Sequence, residues 1–155
     1  MELQIRAAQT ADYPQIEAIY QQVQQLHVDL RPDIYKPVAV ALPEEELARG
    51  IAEKTFYVAE ADSAVRGILS FLVRPVRGAH QVARDVLFID TMAVDAAYRN
   101  SGIGRAFFDF LKQVRRERKL DGIELQVNAR NTAAMEMYLH CGFVPKSVNM
   151  ELPGE

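Results

Sequence analysis

The segment whose residue types could do chemistry most plainly is VLFIDTMAVDAAYRNSGIGRAFFDFL, residues 86–111. An apolar run leads into Arg99-Asn100-Ser101-Gly102-Ile103-Gly104-Arg105, and a helical apolar period follows. Glycine allows positive φ and close backbone approach. Free N–H groups at a helix start, aided by the helix dipole, make an anion site. Arg99 and Arg105 flank it with positive charge, so the segment predicts a bound phosphate or pyrophosphate. The Gly-Lys-Ser/Thr of a P-loop is absent. The dinucleotide fingerprint also fails, because Phe107 stands where its third Gly should be. A second dense stretch runs from Leu26 to Lys36 and holds His27, Asp29, Arg31, Asp33 and Tyr35. His27, His80, His140 and the lone Cys141 show no metal-ligand spacing, so no metal is expected.

The elements that must position these residues follow from period and punctuation. Leu3, Ile5 and Ala7 alternate as a strand. Thr10 offers an N-cap for a helix over Ala11–Val28, which Arg31-Pro32 ends. Pro32–Ala41 reads as a loop. Pro43 and Glu44–Glu46 suit a helix start, and this helix closes near Glu53. Thr55–Glu60, Gly67–Val73 and Val86–Val94 read as three strands of an antiparallel meander, with a turn at Ala61–Val65 and a hairpin loop at Pro75–Arg84. Ile103, Ala106, Phe107, Phe110, Leu111 and Val114 form one apolar face, giving a helix over Gly104–Lys119. Ile123, Leu125 and Val127 alternate as a strand, parallel to Val86–Val94 across that helix. Asn131–His140 is helical with Gly142 as its C′ residue, and Phe143–Met150 reads as a last strand. The expectation is one α/β domain over residues 1–155, a mixed sheet with helices on its faces in the order β-α-α-β-β-β-α-β-α-β.

Two blocks carry a family resemblance. Arg99-Asn100-Ser101-Gly102-Ile103-Gly104, preceded by Met92-Ala93-Val94, resembles the Arg/Gln-x-x-Gly-x-Gly/Ala loop of the GNAT-type N-acetyltransferases. NARNTAAMEMYLHCGF, residues 128–143, resembles their second motif through Asn131, Ala134, Met137, Tyr138, Gly142 and Phe143. The resemblance covers nearly the whole chain and implies acetyl-CoA as cofactor. It implies that Met92, Ala93 and Val94 pair with the pantetheine arm. It gives the loop amides from Arg99 through Asn100, Ser101, Gly102, Ile103 and Gly104 to Arg105 to the pyrophosphate, and brings Asn131 to the cofactor from the other side. The implied reaction is attack of a primary amine on the acetyl thioester, with Tyr138 matching the usual general acid. Without the motif, Tyr138 would read as a core aromatic. Asp90 matches an acidic strand residue that serves some relatives as base, and equally fits a solvated strand carboxylate. His27, Arg31, Asp33 and Tyr35 fall where the acceptor pocket usually forms, or else cap and pair locally. Pairing of C-terminal strands in relatives implies a homodimer through Phe143–Met150. The other functional reading is a non-catalytic CoA-binding or regulatory module.

Composition narrows the field. The 155 residues are 49% hydrophobic with a net charge of -3, which argues against disorder and against a basic nucleic-acid binder. The five basic residues from Lys112 to Lys119 suit a solvated helix end, where cations meet the dipole. A lone cysteine fits a reducing compartment. Neither a signal-peptide run nor a membrane-length apolar stretch is visible, so the expected location is the cytoplasm, with no membrane or nucleic-acid partner.

Overall fold

The computed structural model describes residues 2–154. Its strands are β1 (Leu3–Ala7), β2 (Phe56–Ala61), β3 (Ala64–Val76), β4 (Arg84–Val94) and β5 (Gly122–Glu124). Its helices are α1 (Tyr13–Leu30), α2 (Glu44–Glu53), α3 (Ile103–Glu117) and α4 (Thr132–His140). The sheet order is β1-β2-β3-β4-β5. The first three pairings are antiparallel and β4–β5 is parallel, as expected for a meander followed by a strand–helix–strand crossover.

Each face of the sheet has its own core. α3 lays Ile103, Phe107, Phe108, Leu111 and Val114 on Leu69, Phe71, Leu87 and Ile89. The opposite face packs Ile16 and Ile19 of α1 and Leu47 of α2 on Phe56, Val58, Val65 and Ile68. Burying each such side chain stabilises the fold by roughly 1.5–3 kcal/mol. At Gly67 α3 packs close on the sheet. A Cβ there would stand 2.9 Å from Phe107 and 3.0 Å from Ile103, so only a bare backbone lets the helix seat at that depth.

Several boundaries differ from the sequence expectation. A 3₁₀ turn over Thr10–Asp12 precedes α1, which starts at Tyr13 with Pro14 in its first turn. β3 runs on through Pro75, which faces Asp85 near the loop end of the hairpin, where a missing N–H costs little. β5 stops at Glu124 rather than Val127. The expected final strand over Phe143–Met150 does not form: no residue there has strand structure. The reason is local. Pro145 lacks a donor, β5 offers an edge of only three residues, and Val144 and Met150 are 79% and 87% exposed with no layer to pack on. The arm is instead tied down by ions, Lys146 to Glu124 at 3.0 Å and Glu151 to Arg31 at 2.6 Å. The expected homodimer therefore loses the strand it was to use.

Candidate functional site

The site is built on β4. Its register with β3 slips once: Ser70 faces Thr91 but Phe71 faces Ile89, so Asp90 is the extra residue of a β-bulge. A bulge bends the strand and re-aims a side chain. Asp90 borders a cavity of 220 Å³ between α1, α2 and the central strands, whose polar lining includes Tyr20, Glu46, Arg49, Glu53 and Ser70. Glu46, Arg49 and Glu53 fall at i, i+3 and i+7 on α2, so they share one face. None of these three, nor Asp90, forms an ion pair among the described residues. Three carboxylates against one guanidinium leave the lining acidic. The Tyr20 hydroxyl lies 3.5 Å from Ser70 Oγ, and burial pushes its phenol above the ordinary value.

On its other side β4 opens. The parallel ladder with β5 holds only Val86, Leu87 and Phe88. From Ile89 to Val94 that edge has no strand partner among the described residues. Its backbone groups are free to pair with another extended chain. Met92 and Val94 turn their side chains toward the α3 core and Ala93 toward the α1–α2 core.

Directly after this edge comes the glycine loop. Asp95 caps the 3₁₀ turn Ala96–Tyr98 by accepting from the Ala97 N–H at 3.3 Å, and the Ser101 hydroxyl donates to the Tyr98 carbonyl. Asn100 has φ 60° and Gly102 φ 89°. Left-handed residues alternating with ordinary ones make a concave row of amides. The first intrahelical bond of α3 runs from the Ala106 N–H to the Gly102 carbonyl, 3.0 Å, and no side chain caps the helix. The N–H groups of Ile103, Gly104 and Arg105 thus lack a helical partner. Arg99 and Arg105 are exposed and enter no ion pair among the described residues. The donor set suits a diphosphate, and the open edge suits an amide-bearing arm. The chemistry of acetyl-CoA therefore fits the residues present.

α4 closes this side. A Cβ on Gly104 would touch Met137 Sδ at 3.7 Å, which puts the two helices in contact at the start of α3. The Tyr138 ring meets Phe108 edge-on at 6.0 Å and Phe143 at 5.8 Å. Burial, and to a lesser degree Cys141, raises its phenol above the ordinary value. Asn131 caps α4, its Oδ1 accepting from the Ala134 N–H at 3.2 Å. Gly142 takes φ 97° at the helix end, as its C′ position requires.

The four residues read as an acceptor loop stand together but do not line the cavity beside Asp90. The His27 ring lies 4.8 Å from Tyr35, and burial lowers the His27 imidazole below its usual range. Arg31 pairs with Asp33 at 2.7 Å and with Glu151 at 2.6 Å, and Arg31 hydrogen bonds bring the Asp33 carboxyl down to about 2. Sequence reasoning missed Tyr20, Glu46, Arg49, Glu53 and Ser70 as a set. The one available signal was the shared face of the α2 charges, of which Glu46 alone was read, as part of a helix start. Among the described residues no group of three potential metal-ligating side chains comes together, and no helix is long and apolar enough to cross a membrane.

The fold and this site define a mixed α/β protein whose central strand opens beside an anion cradle. Residues 19–143 match the model of the Acetyltransferase (GNAT) family, and the chain belongs to that family. A stretch of 63 residues is 36% identical to a mycothiol acetyltransferase of Beutenbergia cavernae, covering 41% of this chain and 21% of that protein. This chain thus matches about a fifth of that relative's length. Among solved structures, a variant of the BH1408 protein of Bacillus halodurans superposes with a TM-score of 0.88 at 24% identity, covering 98% of this chain and 99% of that one. The aminoglycoside N-acetyltransferase AAC(6')-Iy, in complex with CoA, gives 0.66 at 13% identity, covering 99% of this chain and 95% of that one. At these identities the superpositions speak for the fold alone.

Proposed function

We propose that this protein transfers an acetyl group from acetyl-CoA to a primary amine by direct attack on the thioester. The observation that carries the reading is the unpaired edge of β4 from Ile89 to Val94, running into the amide row at residues 100–105. Acetyl-CoA supplies the activated acetyl group and leaves as a thiol. The backbone of Met92, Ala93 and Val94 would hold the pantetheine arm as an added strand. The amides from Asn100 to Arg105, with the Arg99 and Arg105 charges, would hold the diphosphate, and the free Asn131 amide group would steady the arm from the α4 side.

Two protons must then move. An alkyl ammonium, with a pKa near ~10, must lose one before its nitrogen can attack. The bulge offers Asp90 to the cavity as the group to receive it, directly or through water. The departing thiolate must gain one. Tyr138 is assigned that donation, since burial keeps its phenol protonated at neutral pH. The acidic cavity favours a small acceptor that is cationic before it reacts. His27, Arg31, Asp33 and Tyr35, outside that cavity, would meet only larger acceptors, which must compete with the pairing of Arg31 to Asp33 and Glu151.

A thiol-release assay with a panel of amines tests this, run on the wild type and on Tyr138→Phe. The expected result is amine-dependent CoA release that the substitution cuts about a hundredfold or more. Tight acetyl-CoA binding without release for any amine would favour a non-catalytic CoA-binding module. Two further expectations stand as proposals: a single domain over 1–155, and a homodimer, which sedimentation as a monomer would refute.

A further inference from the structure

The loop between the open strand edge and the amide row is held from two sides by side chains that belong to neither. Gln22 on α1 reaches it across 73 positions of sequence: its Nε2 donates to Asp95 Oδ1 at 3.3 Å. Its Oε1 accepts from the Ala96 N–H at 2.9 Å. From the sheet, the Arg66 carbonyl accepts from the Asp95 N–H at 2.8 Å. The Arg66 guanidinium lies 4.3 Å over the Tyr98 ring and 3.8 Å from Asp95 Oδ2. The Tyr98 hydroxyl donates to Asp62 Oδ2 at 3.2 Å, in the β2–β3 turn where Asp62 sits at φ 52°. The Arg66 Nε is buried without a hydrogen-bond partner, so the ring stacking and the contact with Asp95 hold this side chain in place.

We propose that Gln22 and Arg66 are positioning residues that clamp the Asp95–Tyr98 segment and thereby preset the amide row for the diphosphate. The argument is geometric. Asn100 and Gly102 hold left-handed φ values only if the chain enters the loop at one angle, and the turn at Ala96–Tyr98 sets that angle. The turn makes one internal backbone bond, from the Tyr98 N–H to the Asp95 carbonyl at 2.8 Å. The Asp95 cap on Ala97 and the Ser101 bond to the Tyr98 carbonyl are local; the restraints from outside the loop come from Gln22, Arg66 and Asp62. Preset donors bind an anion without paying to order the loop at the moment of binding. Because α1 also carries Tyr20 at the acceptor cavity, Gln22 links the helix beside the acceptor to the loop beside the cofactor. This inference rests on the acetyl-CoA reading for its ligand, but the clamp itself exists without one.

Two measurements on Gln22→Leu test it. In the absence of ligand, hydrogen exchange of the bonded turn amides 96–98 should quicken about tenfold while those of α2 and β2 do not change. In calorimetric titration, acetyl-CoA should bind about tenfold more weakly, whereas an acetylated pantetheine lacking the diphosphate should bind as to the wild type. Gln22→Glu keeps an acceptor for the Ala96 N–H but sets a carboxylate against Asp95, and should fall between the wild type and Gln22→Leu. Tyr98→Phe, cutting the Asp62 bond, repeats the exchange test if the Gln22 variants fail to fold. Unchanged exchange at 96–98 overturns the clamp, as does an equal loss of affinity for both ligands. A wild type that binds no acetyl-CoA would defeat the functional reading, and the ligand-free exchange would still decide the clamp.

Discussion

Gly67→Ala puts the fit between α3 and the sheet to a direct test. Two effects of opposite sign compete. Replacing a strand glycine lowers the entropy of the unfolded chain, which by itself stabilises by roughly 0.5–1 kcal/mol. Against this, the new methyl would stand 2.9 Å from Phe107 Cε2, 3.0 Å from Ile103 Cγ2 and 3.2 Å from Phe107 Cζ. Both partners are closed in, Phe107 at 0% and Ile103 at 1% exposure, so neither has free space to swing into. Overpacking of this kind costs about 1–3 kcal/mol. The clash wins, and a net loss of about 1–2 kcal/mol is expected. For a chain of this size that lowers Tm by roughly 2–8 °C. Ile103 is also the first residue of α3, so relief of the clash must push the amide row outward, and acetyl-CoA should bind more weakly than its loss in stability alone implies. Thermal unfolding and calorimetric titration of the same variant read both effects. A Tm equal to or above the wild type would refute the claim that α3 seats on a bare backbone at Gly67.

Three further outcomes follow from the same structure. Arg6 donates to both oxygens of Asp12, at 2.8 and 2.9 Å, and the Gln9 N–H adds a third bond at 2.8 Å. These contacts, Arg6 first, hold the Asp12 carboxyl below its unfolded value. The stability it contributes is therefore present above about pH 4 and drains as pH falls through the folded value. Asp12→Asn should flatten that acid limb in unfolding curves and cost about 2 kcal/mol at neutral pH, since Arg6 loses a nearly buried partner. A Cβ at Gly102 meets no atom within 4 Å, but Gly102→Val must hold φ 89°, a strain of about 1–2 kcal/mol; acetyl-CoA affinity should fall while the rest of the chain, followed by hydrogen exchange, keeps its protection. Tyr138→Phe should leave acetyl-CoA affinity unchanged and lower kcat. Because burial raises the phenol, the wild-type rate should show no loss from Tyr138 below about pH 10.

What the sequence showed and what it hid divide along local and long-range physics. α3 was legible because six apolar residues recur at helical spacing, and the glycine loop because residue types with positive φ precede that helix. The antiparallel meander was legible from β-branched runs broken by turns. The Phe143–Met150 segment reads as a strand from Phe143, Val144, Val148 and Met150, yet such residues only state that a strand is possible. A partner edge must exist, and β5 is too short to supply one. Gln22 reads as one more polar residue on α1, and nothing local marks it as the bracket of a loop 73 residues on. Gly67 carried a weak hint, because a lone glycine inside a strand often marks close approach of another element. Asp90 was picked out by the family resemblance, but the bulge that turns it to the cavity depends on the register with β3. Arg31 and Asp33 looked available for a ligand, and they are engaged with each other and with Glu151 from the far end of the chain.

The central claim is that the open edge of β4 and the amide row before α3 together hold acetyl-CoA. Hydrogen exchange of the wild type with and without acetyl-CoA tests it most directly. The account predicts new protection at the amides of residues 89–94 and 100–105, with little change along β1 and β2. Binding that leaves both segments unprotected, or protects a different surface, would contradict it.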